Sequence, residues 1–316
     1  METIATLTLN PAIDVSYSVK RVFPGHKIRS REDRCDPGGG GINVARVVSR
    51  LGGMVRAHYM AAGATGDALD GLLDLHQMPR NRMNVGGQTR LCTTVHEETT
   101  GREYKFVGTG PVVRKAEWQA CLNFLSSLKC DWLIVSGSLP PGIPENFYAD
   151  IREAVVHRGI RMVLDAPGAI LAATMRGPGT FLIKPSLSEF KALMGHEFIS
   201  RNDIEVAALD FVKRGMVSMV VVTMGPNGAI LAQPSGVTRL PAIAVDAKST
   251  VGAGDSFLGA MIFALASGRD PIEAFRFGMA AGAAAVLNPG TGLCQPVDIE
   301  RLFMNSHENY DTGILP

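Results

Sequence analysis

No Gly-Lys dipeptide occurs anywhere in the 316 residues, so the GxxxxGK[ST] loop that cradles phosphates in P-loop enzymes cannot be present. Neither charge is in excess: 31 basic residues face 30 acidic ones, without blocks of one sign. A nucleic-acid binder needs a basic patch or stripe, so no nucleic acid is expected and a small molecule is the expected partner. Cysteine is scarce and scattered. The five thiols, Cys35, Cys92, Cys121, Cys130 and Cys294, form no CxxC, which argues against a disulfide framework or zinc knuckle and for reduced, structural thiols. No uninterrupted apolar stretch of about 18 residues is found, so no membrane partner is expected. The opening METIATLTLNPAID has neither a basic n-region nor a long apolar h-region, and the expected compartment is the cytoplasm. Internal repeats, low-complexity tracts and Pro/Ser-rich linkers are lacking too, so residues 1–316 read as one domain.

What the chain does have is 46% apolar residues, enough to bury a sizeable core. Short apolar runs (ATLTL, DWLIVSG, RMVLDA, TFLIKP, SMVVVTMG) alternate with longer segments of helical spacing. That is the βαβ pattern of an α/β, doubly wound, mainly parallel sheet covered on both faces. Residues 15–34 and 89–107 differ: apolar residues alternate there with polar or charged ones, as in half-exposed antiparallel strands. They predict a small β-sheet lid whose apolar face needs a cover, either the substrate cleft or a second subunit.

The sharpest motif is STVGAGDSFLGAMIFALASG at 249–268, a glycine-rich turn running into an apolar helix. Gly252 and Gly254 let backbone approach a ligand closely, and the amides at the following helix N-terminus point outward toward an anion. Asp255 stands at the helix start, where its carboxylate either caps the helix or faces a reacting hydroxyl. The same string fails as a dinucleotide fingerprint, because Phe257 holds the third glycine position. GDSFL also lacks the frame of a nucleophile elbow. A second string, DPGGGGINVARVVSRLGG at 36–53, feeds four glycines into a helix with Asn43 in its first turn. It reads either as a flexible loop or as a close backbone approach to a ligand, with the Asn43 amide placed for a sugar hydroxyl.

These strings occur in order with LTLNPAID (ending at Asp14), SGSLPPG at 136–142, IKPSLSEF at 183–190 and the closing AAGAAAVLNPGTGLC. Together they identify the chain as similar to the ribokinase-like (PfkB) carbohydrate kinases over nearly its whole length. The four-glycine string is most similar to that of minor bacterial 6-phosphofructokinases. Tagatose-6-phosphate kinases and 1-phosphofructokinases usually carry a lysine where Gly40 or Gly41 stands here. The resemblance implies a ribokinase-like fold, and ATP-dependent phosphorylation of fructose 6-phosphate to fructose 1,6-bisphosphate. Asp255 is then the general base, and Gly252, Ala253 and Gly254 form the anion hole. Tagatose 6-phosphate and fructose 1-phosphate are the alternative substrates, and a non-catalytic sugar-phosphate sensor is the alternative of another class.

By the same resemblance, Asp14, Gly39, Gly40, Asn43 and Ser138 bind the sugar. Lys27 and Arg90 are then the cations for its phosphate, and Arg29 and Lys105 are further candidates from their own placement; all four are placed on lid strands, where a solvated face is an equally good reading. Lys184, Thr223, Gly225, Gly228 and Asn288 fall to the nucleotide, although MGPNG also reads as a simple turn between strands. The family's N-x-x-E magnesium motif appears as Ser186-Leu187-Ser188-Glu189, so Mg²⁺ is assigned to Glu189 and, through water, to Ser186. Gly292 departs from the usual arginine, at a place that bears on nucleotide or K⁺ binding. A homodimer paired through the lids completes the expectation.

Overall fold

The computed structural model describes residues 1–288 and 290–311. From strand β1 (Ile4–Thr8) the chain leaves the main sheet to form β2 (Ala12–Val19) and β3 (Glu32–Gly38). It returns through helix α1 (Gly40–Arg50) to β4 (Val55–Ala61), and through α2 (Gly63–Leu75) to β5 (Arg80–Asn84). A second excursion, β6 (Arg90–Glu97) and β7 (Arg102–Val107), precedes α3 (Lys115–Leu125) and β8 (Trp132–Ser136). Then α4 (Phe147–Val156), β9 (Arg161–Asp165), α5 (Gly168–Thr174), β10 (Thr180–Ile183), α6 (Leu187–Met194) and α7 (Arg201–Lys213) lead to β11 (Val217–Thr223). The hairpin β12 (Ala229–Gln233) and β13 (Gly236–Leu240) follows, and helices α8 (Ala253–Ala266), α9 (Pro271–Val286) and α10 (Pro296–Asp311) come last.

Nine strands form one sheet in the order β13-β12-β11-β10-β9-β8-β1-β4-β5. It is parallel from β11 through β5, with an antiparallel tail at β12 and β13. The chain winds outward from β1 in both directions, to β4 on one side and β8 on the other. The order therefore reverses at β1, and in open α/β sheets the crevice beyond the carboxyl ends at such a point is where ligands bind. The apolar runs are the buried central strands: all five residues of β1 and of β8 are buried. Strands covered on both faces need no alternation. One face packs against α1, α2, α8, α9 and α10, the other against α3, α4, α5, α6 and α7. Each fully buried Leu, Ile, Val or Phe in these layers contributes about 1.5–3 kcal/mol.

The second sheet, β3-β2-β6-β7, is the expected lid, with two corrections. First, β2 and β6 run parallel, not antiparallel. Both excursions leave carboxyl ends of main-sheet strands and so set out in the same direction. Second, residues 15–34 are not one strand region. Residues 20–31 form an exposed loop broken by Pro24 and Gly25, and Lys27 and Arg29 lie on that loop rather than on lid strands. Among the described residues, no helix is long and apolar enough to cross a membrane.

Candidate active site

Both glycine-rich turns open helices that start at the crevice and run side by side. Asn43 Nδ2 of α1 donates to Asp255 Oδ2 of α8 at 2.9 Å. One turn further along each helix, a Cβ at Gly259 would stand 2.8 Å from Val47 Cβ. Only glycine at 259 permits that approach, which carries the two first turns into hydrogen-bond reach. Two positive helix ends with unpaired amides thus meet in one place. The N-cap of α8 is Gly252 in the left-handed region, φ 74°. The Asp255 carboxylate takes its hydrogen bond from Asn43 rather than capping its own helix.

The four glycines that lead into α1 and form its first residues are not a flexible loop. An added Cβ would stand 2.2 Å from Asp14 Oδ2 at Gly38, 2.2 Å from Ser136 Oγ at Gly40, and 2.7 Å from the Leu7 carbonyl at Gly41. Gly39 has φ 107°. The string lies directly on β1 and β8, so the glycines are required by packing as well as by any ligand. A family-type lysine would be admitted at Gly40, where a rotatable hydroxyl stands in the way, but not at Gly41, where backbone does.

Lys184, just past β10, extends into the crevice with its Nζ 3.1 Å from Asp165 Oδ1 at the end of β9. A Cβ at Gly254 would be 3.4 Å from that Nζ, so the ammonium stands at the mouth of α8. Burial works against the ammonium, but Asp165, Asp255 and Glu189 outweigh it and hold its pKa above the ordinary lysine value. Burial and the nearby Asp165 push Asp255 up to about 6, with Asn43 and Lys184 opposing. Asp14, on β2 across the crevice, is also raised to about 6, by burial and Asp36 against the pull of Arg90 and Arg46. A carboxylate of that pKa is ionised at neutral pH and still a competent proton acceptor. The arrangement can therefore bind an anion at the α8 amides and Lys184, and accept a proton at Asp255.

The other expected residues divide. Ser138 Oγ is 3.3 Å from Asn10 Nδ2, which also donates to the Thr109 carbonyl. The Arg90 guanidinium donates to the carbonyls of Asn10 and Gly108, pinning the start of β6 beside Asp14. Lys105 shares the lid face of Asp14, two rows along, paired with Glu103 at 3.2 Å. Lys27 and Arg29 are not brought to Asp14. Their loop folds over the opposite lid face, where Val22, Ile28 and Ser30 line a cavity of about 460 Å³ with Tyr17, Val95, Tyr104 and Phe106.

Thr223 is bridged to Ser186 beside the crevice. The turn reading accounts for Gly228, whose Cβ would stand 2.1 Å from the Leu240 carbonyl, whereas Gly225 has open space. Asn288 spends its amide hydrogens on the carbonyls of Ala284 and Leu293. Ser186 is the N-cap of α6 in a closed capping box. Its amide and hydroxyl both donate to Glu189 Oε2, at 2.7 and 2.8 Å. Glu189 Oε1 stays outside the box. No group of three or more His, Cys, Asp or Glu among the described residues could cage a metal. That fits Mg²⁺ held largely by phosphates and water, with few protein carboxylates.

Sequence reasoning missed Asp165. It ends the apolar strand RMVLDA as Lys184 follows TFLIKP, and its place at the carboxyl end of a parallel strand, where such folds bind ligands, is the signal that could have found it. It also missed Asn10, and the buried ion pair of Asp36 with Arg46.

Residues 5–298 match the pfkB family of carbohydrate kinases. The chain is 38% identical over 312 residues to ATP-dependent 6-phosphofructokinase isozyme 2 of Mycobacterium tuberculosis, covering 98% of this chain and 91% of that protein. It is 31% identical to 1-phosphofructokinase of Bacillus subtilis, covering 92% and 94%. Phosphofructokinase-2 from Escherichia coli, solved in complex with potassium, superposes with a TM-score of 0.92 at 36% identity, over 96% of this chain and 99% of that one. That enzyme has also been solved in a tetrameric inhibited form. The chain belongs to the PfkB family and is a carbohydrate kinase.

Proposed function

We propose that the chain transfers the γ-phosphate of ATP to the 1-hydroxyl of fructose 6-phosphate, giving fructose 1,6-bisphosphate and ADP. The observation that carries this is the meeting of Asp255, Asn43, Lys184 and the first-turn amides of α8 at one point of the crevice. Asp255 takes the hydroxyl proton as the sugar oxygen bonds to the γ-phosphorus and the bond to the β–γ bridging oxygen breaks. The amides of Gly252, Ala253 and Gly254, with Lys184, hold the negative charge of the phosphoryl group; such positioning and charge stabilisation do most of the work in phosphoryl transfer. Asp14, the Gly39 and Gly40 backbone, Asn43 and Ser138 orient the sugar, and Arg90 and Lys105 flank its phosphate. In one chain Lys27 and Arg29 lie on the wrong lid face, so they serve only across a dimer interface.

Thr223, Gly225, Gly228 and Asn288 line the nucleotide side. Glu189, with Ser186 through water, would hold Mg²⁺, which would supply positive charge to the ATP phosphates. The potassium bound by the Escherichia coli relative supports K⁺ as a further cation. The chain acts as one catalytic unit with its lid, as a homodimer joined by the apolar lid faces, in the cytoplasm where ATP and sugar phosphates are held.

The 6-phosphofructokinase relatives and the four-glycine string favour fructose 6-phosphate; the 1-phosphofructokinase relatives favour fructose 1-phosphate as the second reading. A coupled ADP-release assay with fructose 6-phosphate, fructose 1-phosphate and tagatose 6-phosphate decides. Fructose 6-phosphate should give the highest kcat/KM; a higher value for either rival sugar reassigns the substrate.

A further inference from the structure

Behind the proposed site lies a buried polar chain that the mechanism above does not use. Arg46 of α1 is 2% exposed. Its Nη1 donates to the Pro37 carbonyl at 2.9 Å and lies 3.4 Å from Asn43 Oδ1. Its Nη2 lies 3.3 Å from Asp36 Oδ1 and 3.2 Å from His76 Nε2. Asp36 in turn accepts from Thr291 Oγ1 at 2.5 Å and pairs with Arg34 at 2.6 Å. One guanidinium thus joins lid strand β3, helix α1, the end of α2 and the loop after α9.

Chemistry dictates how the Asn43 amide must lie. A guanidinium only donates and an ionised carboxylate only accepts. With Arg46 on one side and Asp255 on the other, the amide has one orientation that satisfies both: Oδ1 to Arg46 and Nδ2 to Asp255. The flip that would leave the base without a donor sets the amide hydrogens against the guanidinium. We propose that Arg46 is a positioning residue for phosphoryl transfer, locking the Asn43 amide so that it donates to Asp255, and tying that lock to the lid through Asp36 and to the 290s loop through Thr291. This rests on the reading of Asp255 as the base.

The groups facing Asp255 are Asp165, Lys184, Asp14 and Asn43; those facing Arg46 are Asp36, Arg34, Arg50, His76 and Asp14. Arg46 has two paths to the base, its contact with Asn43 Oδ1 and its charge on Asp14, and in an Asn43→Ala background only the second remains. That separates positioning from a merely structural role. The test compares wild type, Arg46→Lys, Arg46→Met, Asn43→Ala and Arg46→Met/Asn43→Ala in kcat, both KM values, thermal midpoint, and the pH profile of kcat/KM. Profiles are compared with wild type, because the substrate phosphates titrate equally in all.

Loosening the amide removes a bond that favours the charged base, so each Arg46 variant should move the acid limb upward by about half a pH unit or more and lower kcat about ten-fold or more. Arg46→Lys should fall between wild type and Arg46→Met. In the Asn43→Ala background, Arg46→Met should add little further loss of kcat, as expected of residues acting in series. A lowered thermal midpoint with unchanged kcat and acid limb, or fully additive losses in the double variant, overturns the proposal. If the Arg46 variants do not fold, Thr291→Val carries the test, since it strips one donor from Asp36 at nearly constant volume. It should shift the acid limb in the same direction, and no shift overturns the proposal. Wild-type turnover of a sugar phosphate other than fructose 6-phosphate would overturn only the substrate assignment, and the comparison would then be run on that sugar.

Discussion

At the scale of single residues, the catalytic candidates were legible where a motif states its own chemistry. GAGD announces a glycine turn, a helix start and a carboxylate, and the structure puts all three at the crevice. What could not be read was the direction of the carboxylate, because capping and facing outward require the same sequence; it is the Val47–Gly259 approach that brings Asn43 to it. Asp165 and Arg46 were hidden for another reason: a lone Asp at a strand end, or an Arg inside a helix, acquires meaning only from partners distant in sequence. The raised pKa of Asp255, about 6, makes two predictions with opposite signs. Activity needs the carboxylate, so kcat/KM should fall as pH drops through about 6, and Asp255→Asn should lower kcat by about two to four orders of magnitude. A variant that keeps more than about a tenth of wild-type kcat removes Asp255 from the role. Stability runs the other way. A carboxyl whose folded pKa lies above its unfolded value of 3.8 favours folding below about 4 and loses that advantage as pH rises through about 6. Asp255→Asn should therefore raise the thermal midpoint at pH 8 and leave it nearly unchanged at pH 4; equal shifts at both pH values would show that ionisation of this group does not strain the fold.

Among elements, the parallel strands were plain because burial on both faces writes continuous apolar runs, as in WLIVS and VSMVVVT. The lid was harder. Alternation located β2, β6 and β7, but alternation is the same for parallel and antiparallel neighbours, so the parallel pairing of β2 with β6 had no sequence signature. Basic residues spaced among apolar ones also let the 20–31 loop pass for strand, although Pro24-Gly25 marks a break there. Helix α6 shows one position serving two ends. Ser186 closes a capping box that holds Glu189 Oε2 with two donors, which stabilises the helix start by about 0.5–2 kcal/mol and draws negative charge away from any metal. Asparagine at 186 also caps, but cannot donate a hydroxyl hydrogen to Oε2 while its carbonyl accepts from the Glu189 amide. Ser186→Asn should thus release part of the carboxylate and lower the Mg²⁺ concentration for half-maximal rate at similar stability. An unchanged magnesium dependence would confine Ser186 to capping.

For the molecule as a whole, the open question is what covers the lid's outer face. Strand alternation divides the lid cleanly. Asp14, Lys105 and their row-mates face the crevice, while Tyr17, Val19, Val95, Tyr104 and Phe106 face away from it. The 20–31 loop covers the outward face only in part, leaving Phe106 at 63% and Leu91 at 49% exposure, and a sheet with apolar side chains left open to water is a poor end state. A second copy is the proposed cover, since a lid closing over substrate presents its other, polar face to the crevice. Because Phe106 is exposed in the single chain, Phe106→Glu should change the single chain's unfolding free energy by no more than about 0.5 kcal/mol. In sedimentation, wild type should run at twice the chain mass of 33.7 kDa and the variant at that mass itself, with a raised KM for the sugar phosphate because the 20–31 loop loses its seat against the neighbour. A wild type that sediments at the single-chain mass under assay conditions, with full activity, would show that the lid works alone and that its apolar face has another cover.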